Sequence, residues 1–316
     1  MELSKSSTIV CKSKIAILMA TYNGEAYLKE QINSILNQSY DDWELYIHDD
    51  GSKDKTLYII DEYEKKYPDK IHIVNGKSTG SAKKNFFYLI NLIEADYIMF
   101  SDQDDYWYRD KIKVTLEKMK SVQENNCQLP ILVHTDLEIV DSDLNTISFS
   151  IGKYRGFKFE QESINRLLVG NTVTGCTVMI NKILLHMTKG LNDTSKIIMH
   201  DWWLALLASE YGKIDFIDQP TIKYRQHTDN TVGVVRYDKR YIIDRILHSS
   251  EIRKDLAKTR IQARYMADVF SIDKNDIVYK YAHIFSAKKI KRVYFYVKNG
   301  IKKSDIKRNL GLYLFG

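Results

Sequence analysis

The sequence predicts an α/β fold: an open, mostly parallel sheet with helices on both faces, followed by a helical, basic region. Three observations carry this. Apolar runs of strand length alternate with segments of helical spacing. Each of the first four runs ends at, or is soon followed by, a polar cluster. Beyond Arg236 no strand pattern remains and positive charge accumulates.

Lys14 to Ala20 is an apolar run that reads as a buried strand, broken by Thr21-Tyr22-Asn23-Gly24. Leu28, Ile32, Ile35 and Leu36 give helical spacing from Tyr27 to Asn37. Trp43 to Ile47 is a second strand, stopping at His48-Asp49-Asp50-Gly51-Ser52. Asp54 suits the cap of a helix reaching about Lys66. Lys70 to Val74 is a third strand, 75–81 a loop, and Ala82 to Ile93 a helix. Tyr97 to Phe100 is the fourth strand, and a helix follows from about Arg109 to Gln123. In open parallel sheets ligands bind beyond the carboxyl ends of the strands. The clusters Thr21–Asn23, Asp49–Asp50, Lys83–Asn85 and Asp102–Asp105 are therefore expected along one edge.

The second half is less regular. Ile131 to Asp136 reads as a strand and Leu137 to Ser150 as extended and turn-rich. Glu162 to Leu168 has helical character, and Thr177 to Ile180 is a strand. His200-Asp201-Trp202-Trp203 opens a helix. Ile214–Ile217 and Thr221–Arg225 read as two short strands around Asp218-Gln219-Pro220. From Tyr237 onward only helices are expected, the first carrying a stripe of Ile242, Ile243, Ile246 and Leu247.

Composition narrows the class. At 316 residues, 44% hydrophobic and 28% charged, the chain can bury a large core. No apolar run reaches membrane-spanning length, and Met1 to Thr8 holds no signal-peptide core, so a cytoplasmic location is expected. The three cysteines are scattered and form no C-x-x-C, which argues against a zinc site or a disulfide framework. Residues 236–316 carry 20 Lys+Arg against 8 Asp+Glu, a net of +12 in a chain of net +6, so residues 1–235 are acidic by 6. The basic part interleaves Lys288, Lys289, Lys291 and Arg292 with Val293 to Val297. Such a pattern suits an anionic membrane surface, and equally a solvated helical face; nucleic acid is the less expected partner.

The most informative stretch is Phe100-Ser101-Asp102-Gln103-Asp104-Asp105-Tyr106-Trp107. It places three carboxylates within four residues at the end of a buried strand. Their mutual repulsion is relieved by a cation, and oxygen-only ligands suit Mg²⁺ or Mn²⁺ bridging to phosphate. The alternative is a solvated acidic turn that caps the next helix.

The ordered motifs Ile17–Gly24, His48–Asp54, Ser101–Trp107 and His200–Trp203 resemble those of family 2 inverting glycosyltransferases. The resemblance covers roughly residues 14–235. With Tyr224-Arg225-Gln226-His227 downstream, the Ser-Asp-Gln-Asp-Asp form is most similar to bacterial rhamnosyltransferase-like members that build surface polysaccharide. The resemblance implies a GT-A fold over 1–235, Rossmann-like, with a nucleotide-binding half (about 14–125) and an acceptor half (about 126–235). Residues 236–316 form the basic helical region. It implies Thr21 and Tyr22 against the nucleoside, Asp50 or Asp49 on the base, Asp102 near the ribose and Lys84 near the phosphates. Asp104 and Asp105 would hold a divalent metal (Mn²⁺ or Mg²⁺). Asp201 would be the base that deprotonates the acceptor, a role that can coexist with helix capping. His227, Trp202 and Trp203 are further candidates for contact with diphosphate or acceptor, the two tryptophans being expected to split, one in the cleft and one in the core, because neighbours on a helix point apart.

The implied reaction is transfer of a sugar, rhamnose among the candidates, from a dTDP- or UDP-linked donor to a glycan or lipid-linked acceptor at the inner membrane face. Two rivals stand beside it. A nucleotidyltransferase would use a similar sheet and metal, but Thr21-Tyr22-Asn23-Gly24-Glu25 lacks the Gly-rich basic loop such enzymes place after the first strand. A non-catalytic nucleotide- or membrane-binding module is the other.

Overall fold

The structure is a computed structural model that describes residues 9–12, 14–157, 159, 162–227 and 249–315. The strands are β1 (Ile9–Val10), β2 (Ile15–Thr21), β3 (Trp43–Asp49), β4 (Ile71–Ile73), β5 (Ile93–Glu94), β6 (Tyr97–Ser101), β7 (Tyr106–Trp107), β8 (Ile131–Val140), β9 (Thr146–Ser148), β10 (Met179–Asn181) and β11 (Lys213–Arg225). The helices before residue 215 are α1 (Leu28–Leu36), α2 (Thr56–Lys66), α3 (Ala82–Leu92), α4 (Lys111–Glu124), α5 (Ile151–Arg155), α6 (Ile164–Leu167), α7 (Lys182–Thr188) and α8 (His200–Tyr211). Beyond residue 248 come α9 (Ser249–Val269), α10 (Ile277–His283), α11 (Lys289–Lys298) and α12 (Ile306–Phe315).

The described residues divide into two compact units. The first takes 9–151, 174–192 and 211–227; the second takes 152–173, 193–210 and 249–315. The first unit holds the sheet, ordered β4-β3-β2-β6-β10-β8-β11-β7, with β9 on β8. Its first four strands are parallel, as the alternation of strands and helices requires. Ile15 to Met19 are 0% exposed, so β2 has no polar face and reads as a continuous apolar run.

Beyond β6 the sheet is mixed. β10 runs antiparallel to both β6 and β8, β11 is parallel to β8, and β7 is antiparallel to β11. Two expectations are corrected here. The two short strands around Pro220 are one strand, β11. Pairing with the ten-residue β8 runs almost its whole length and absorbs Pro220 between two register shifts instead of a break. Thr177 is not in a strand: Gly175–Thr177 forms a 3₁₀ turn before β10. The stripe of Ile242 to Leu247 lies outside the described residues.

The second unit is helical. Its core gathers Trp203, Leu204, Leu256, Met266, Val278, Tyr281 and Tyr296, all at most 1% exposed.

Candidate active site

The strand-end clusters of the first unit are joined by hydrogen bonds. Thr21, at the end of β2, donates its hydroxyl to Asp49 Oδ1 at 3.0 Å. Gln103 clamps the turn after β2: its Oε1 accepts from Tyr22 N–H and its Nε2 donates to Tyr22 O, both at 2.9 Å. Gly24 follows from this clamp, because a Cβ there would lie 2.3 Å from Gln103 Oε1. Asn23 takes φ 48°, a left-handed conformation Asn tolerates, and its side chain accepts from Lys53 N–H. Tyr22 is left 54% exposed, as a ring available to a ligand.

Asp49 and Asp50 are adjacent but differently employed. Asp49 staples its own turn, accepting from Thr21, from the Ser52 hydroxyl at 2.5 Å, and from the N–H groups of Gly51 and Ser52. Asp50 is 8% exposed and faces the loop before α3. Its Oδ1 accepts from Thr79 N–H, Gly80 N–H and the Ser78 hydroxyl. Burial alone would raise its pKa, but these donors hold it below the ordinary carboxylate value. Behind it, the buried His48 ring bonds Asn85 at 2.8 Å. Ser81 caps α3 through Lys84 N–H at 3.4 Å, leaving the Lys84 side chain on an exposed position of the first turn.

The acid cluster is divided by depth. Asp102 and Asp104 are partly exposed; Asp105 is fully buried. Asp104 Oδ2 lies 2.8 Å from His227 Nε2, and that imidazole packs 4.9 Å from the Tyr27 ring. Arg225 pins the loop from β11. Its Nε donates to Asp104 O at 2.8 Å, its NH1 to Ser142 O and its NH2 to the Glu30 carboxylate. The guanidinium also stands 4.4 Å over Tyr27, and the Arg225 N–H donates to Asp105 Oδ1 at 3.2 Å.

Asp105 sits with Asp102 and Cys176, their ligand atoms all within 4.8 Å of one another. Burial, then the charges of Asp104 and Asp102, push the Asp105 carboxyl well above its usual range. Burial, then Asp105, does the same to the Cys176 thiol. Lys111 is also fully buried, 4.8 Å from the Trp107 ring and 3.3 Å from the Thr221 hydroxyl. Burial lowers its pKa to about 8 against the opposing pull of Cys176 and Asp105. As a donor set, Asp102, Asp105 and Cys176 mix hard carboxylates with a soft thiol, a poor match for Mg²⁺ or Mn²⁺. Asp102 and Asp104 with the His227 imidazole are oxygen and nitrogen donors that fit Mn²⁺ better.

In the second unit, Asp201 lies in the first turn of α8, where the helix dipole favours its charge. Its Oδ1 accepts from Trp202 N–H at 2.6 Å. Burial holds the neighbouring His200 neutral, with its pKa near 3. Trp202 is half-buried and donates its indole N–H to Leu167 O at 2.7 Å. Trp203 is 0% exposed against Tyr265 and Phe270, so no sugar reaches it; it is the core member of the pair.

Sequence reasoning did not find the clamping roles of Gln103 and Arg225 or the buried Lys111. Gln103 and Arg225 lie inside the motifs that carried the resemblance. Their partners, 81 and up to 195 residues away, are invisible to local pattern.

The sequence model described as glycosyl transferase family 2 matches residues 16–186, more than half of the chain. The dTDP-rhamnosyl transferase RfbG of Shigella flexneri is 33% identical over 254 residues, covering 76% of this chain and 82% of that protein. The putative teichuronic acid biosynthesis glycosyltransferase TuaG of Bacillus subtilis is 28% identical, over 54% of this chain and 63% of its own length. Among solved structures, the mannosyltransferase PcManGT of Pyrobaculum calidifontis, in complex with GDP-Man and Mn²⁺, superposes with a TM-score of 0.51. It is 14% identical and covers 91% of this chain and 73% of that one, a likeness of fold. The nucleotidyltransferase and binding-module readings are set aside by these matches. The chain belongs to glycosyl transferase family 2 and is a glycosyltransferase with the GT-A fold.

Proposed function

We propose that the protein transfers a sugar from a nucleoside-diphosphate donor to a glycan or lipid-linked acceptor with inversion, assisted by a divalent cation, in the synthesis of a surface polysaccharide. The donor is deoxythymidine- or uridine-linked, with rhamnose the first sugar to test, a choice that rests on the likeness to RfbG. The observation that carries the reading is the linkage of Thr21, Tyr22, Asp49 and Gln103 along one sheet edge, with the Asp104–His227 pair in the same unit.

In this reading Thr21 and Tyr22 flank the nucleoside, Asp50 or Asp49 accepts from the base, Asp102 meets the ribose and Lys84 the phosphates. Asp104 and His227, with Asp102 and the buried Asp105 behind them, hold the cation. When bound, that cation neutralises the charge that develops on the departing diphosphate. Asp201 takes the proton from the acceptor hydroxyl, which is a weak nucleophile without a base. Trp202 offers a ring to the acceptor. Attack opposite the diphosphate needs no covalent enzyme intermediate. The expected working place is the inner face of the plasma membrane, and no described helix is long and apolar enough to cross one.

The test is a donor panel. The purified chain is given Mn²⁺ or Mg²⁺ and dTDP-, UDP- and GDP-linked sugars, and nucleotide binding and nucleoside diphosphate release are measured. One nucleotide should bind only with metal, and Asp104→Asn should weaken that binding and raise the metal concentration it needs. Metal-independent binding that is equal in wild type and variant would refute the cation site.

A further inference from the structure

Helix α11 is held on one side and bare on the other. Tyr296 is 0% exposed, with its ring 6.2 Å from that of Tyr281, and this fixes the helix to the second unit. Ile290, Tyr294 and Val297 are 83%, 65% and 60% exposed. At ~100° per residue these three fall within about 60° of arc and form one apolar stripe. Lys291 and Lys298 are exposed on one flank of the stripe and Lys289 on the other. The Lys298 ammonium stands 5.8 Å over the Tyr294 ring. From Lys288 to Arg308 the sequence holds nine Lys+Arg and one acid, Asp305, whose carboxylate lies 3.4 Å from Arg308.

An aliphatic–aromatic stripe bordered by lysines is the pattern of a helix lying in the plane of a lipid interface. We propose that α11 docks this chain on an anionic bilayer. Ile290, Tyr294 and Val297 enter the boundary between headgroups and acyl chains, and Lys289, Lys291 and Lys298 meet lipid phosphates. Charge and area select this occupant. A second copy would bring the same positive surface. Three side chains also fall far short of the ~800 Å² per partner that a specific interface buries. A soluble polyanion would satisfy the lysines and leave Ile290 and Val297 in water. This inference goes beyond the sugar-transfer reading and needs no step of it.

The experiment is co-sedimentation of the full chain, without nucleotide or metal, with vesicles of phosphatidylcholine alone or mixed equally with phosphatidylglycerol. Binding to mixed vesicles is expected, at least about tenfold weaker to pure phosphatidylcholine and weakened by salt. Ile290→Ser with Val297→Ser should cut binding at least about tenfold, as should Lys291→Glu with Lys298→Glu. These side chains are exposed, so melting temperatures should match the wild type.

Each of the following would overturn the proposal: wild-type protein left in the supernatant, variants that bind as the wild type does, or release by soluble glycerol phosphate as effective as by salt. A dimer in size-exclusion chromatography that Ile290→Ser with Val297→Ser converts to monomer would assign the stripe to self-association instead. Nucleoside diphosphate release measured without vesicles stays a separate readout, so loss of one reading leaves the other standing.

Discussion

Removing the Arg225 guanidinium tests how the acid loop is held. Arg225 is 2% exposed and ties four segments of the first unit together. In Arg225→Met the carbonyls of Asp104 and Ser142 lose charged donors, each worth about 1.5–3 kcal/mol. The stacking over Tyr27 adds roughly 0.5–2 kcal/mol. The Glu30 carboxylate is 45% exposed, so its pair is discounted to below about 1 kcal/mol. Methionine refills part of the volume, and a net loss of about 4 kcal/mol is expected. That is a large fraction of the ~5–15 kcal/mol by which domains are stable.

The assay is urea unfolding followed by tryptophan fluorescence. The transition that reports Trp43 and Trp107 is the relevant one, since two units need not unfold together. Arg225→Lys keeps the charge without the fork and should fall between the two. Sugar transfer should drop in both variants even where they remain folded, because Asp104 loses its tether. An unfolding free energy for Arg225→Met within about 0.5 kcal/mol of the wild type would refute the clamp.

Three further outcomes are expected. Asp201→Asn should lower transfer by about 10²–10⁴-fold with nucleotide binding and melting temperature kept; a loss of nucleotide affinity with unchanged turnover would exclude the base role. Asp104→Asn should cost roughly 10²-fold or more in turnover, and raised Mn²⁺ should recover part of it if His227 and Asp102 still bind. Glu94, 20% exposed and paired with Lys189 at 2.8 Å and with His186 and Lys182, has a pKa that burial would raise but its hydrogen bonds from Lys189 and His186 bring down to about 2. Its folded pKa lies below the unfolded one, so its stabilisation is present above about pH 4.5 and is lost as pH falls toward 2. That contribution is at most about 3 kcal/mol. Thermal melts from pH 7 to 3 should therefore fall more steeply for wild type than for Glu94→Gln, and parallel curves would remove Glu94 from the account.

What the sequence by itself determined is whatever depends on neighbours along the chain. The buried strands β2, β3 and β6, the helices between them and the polar breaks at Thr21, Asp49 and Asp102 all follow from local apolar period and turn chemistry. The sharing of one sheet edge by those breaks follows from parallel topology. The tertiary structure alone decided what depends on partners far apart in the chain. β8 paired with β11 carries the chain through Pro220, which local signals read as a break. Three carboxylates that look equivalent in sequence become a buried Asp105, an Asp104 bonded to His227 and a partly exposed Asp102, because depth is set by what packs around a strand end. Gln103 became a clamp and Trp203 a core side chain for the same reason: a side chain's chemistry is local, but its solvation and its partners belong to the folded whole.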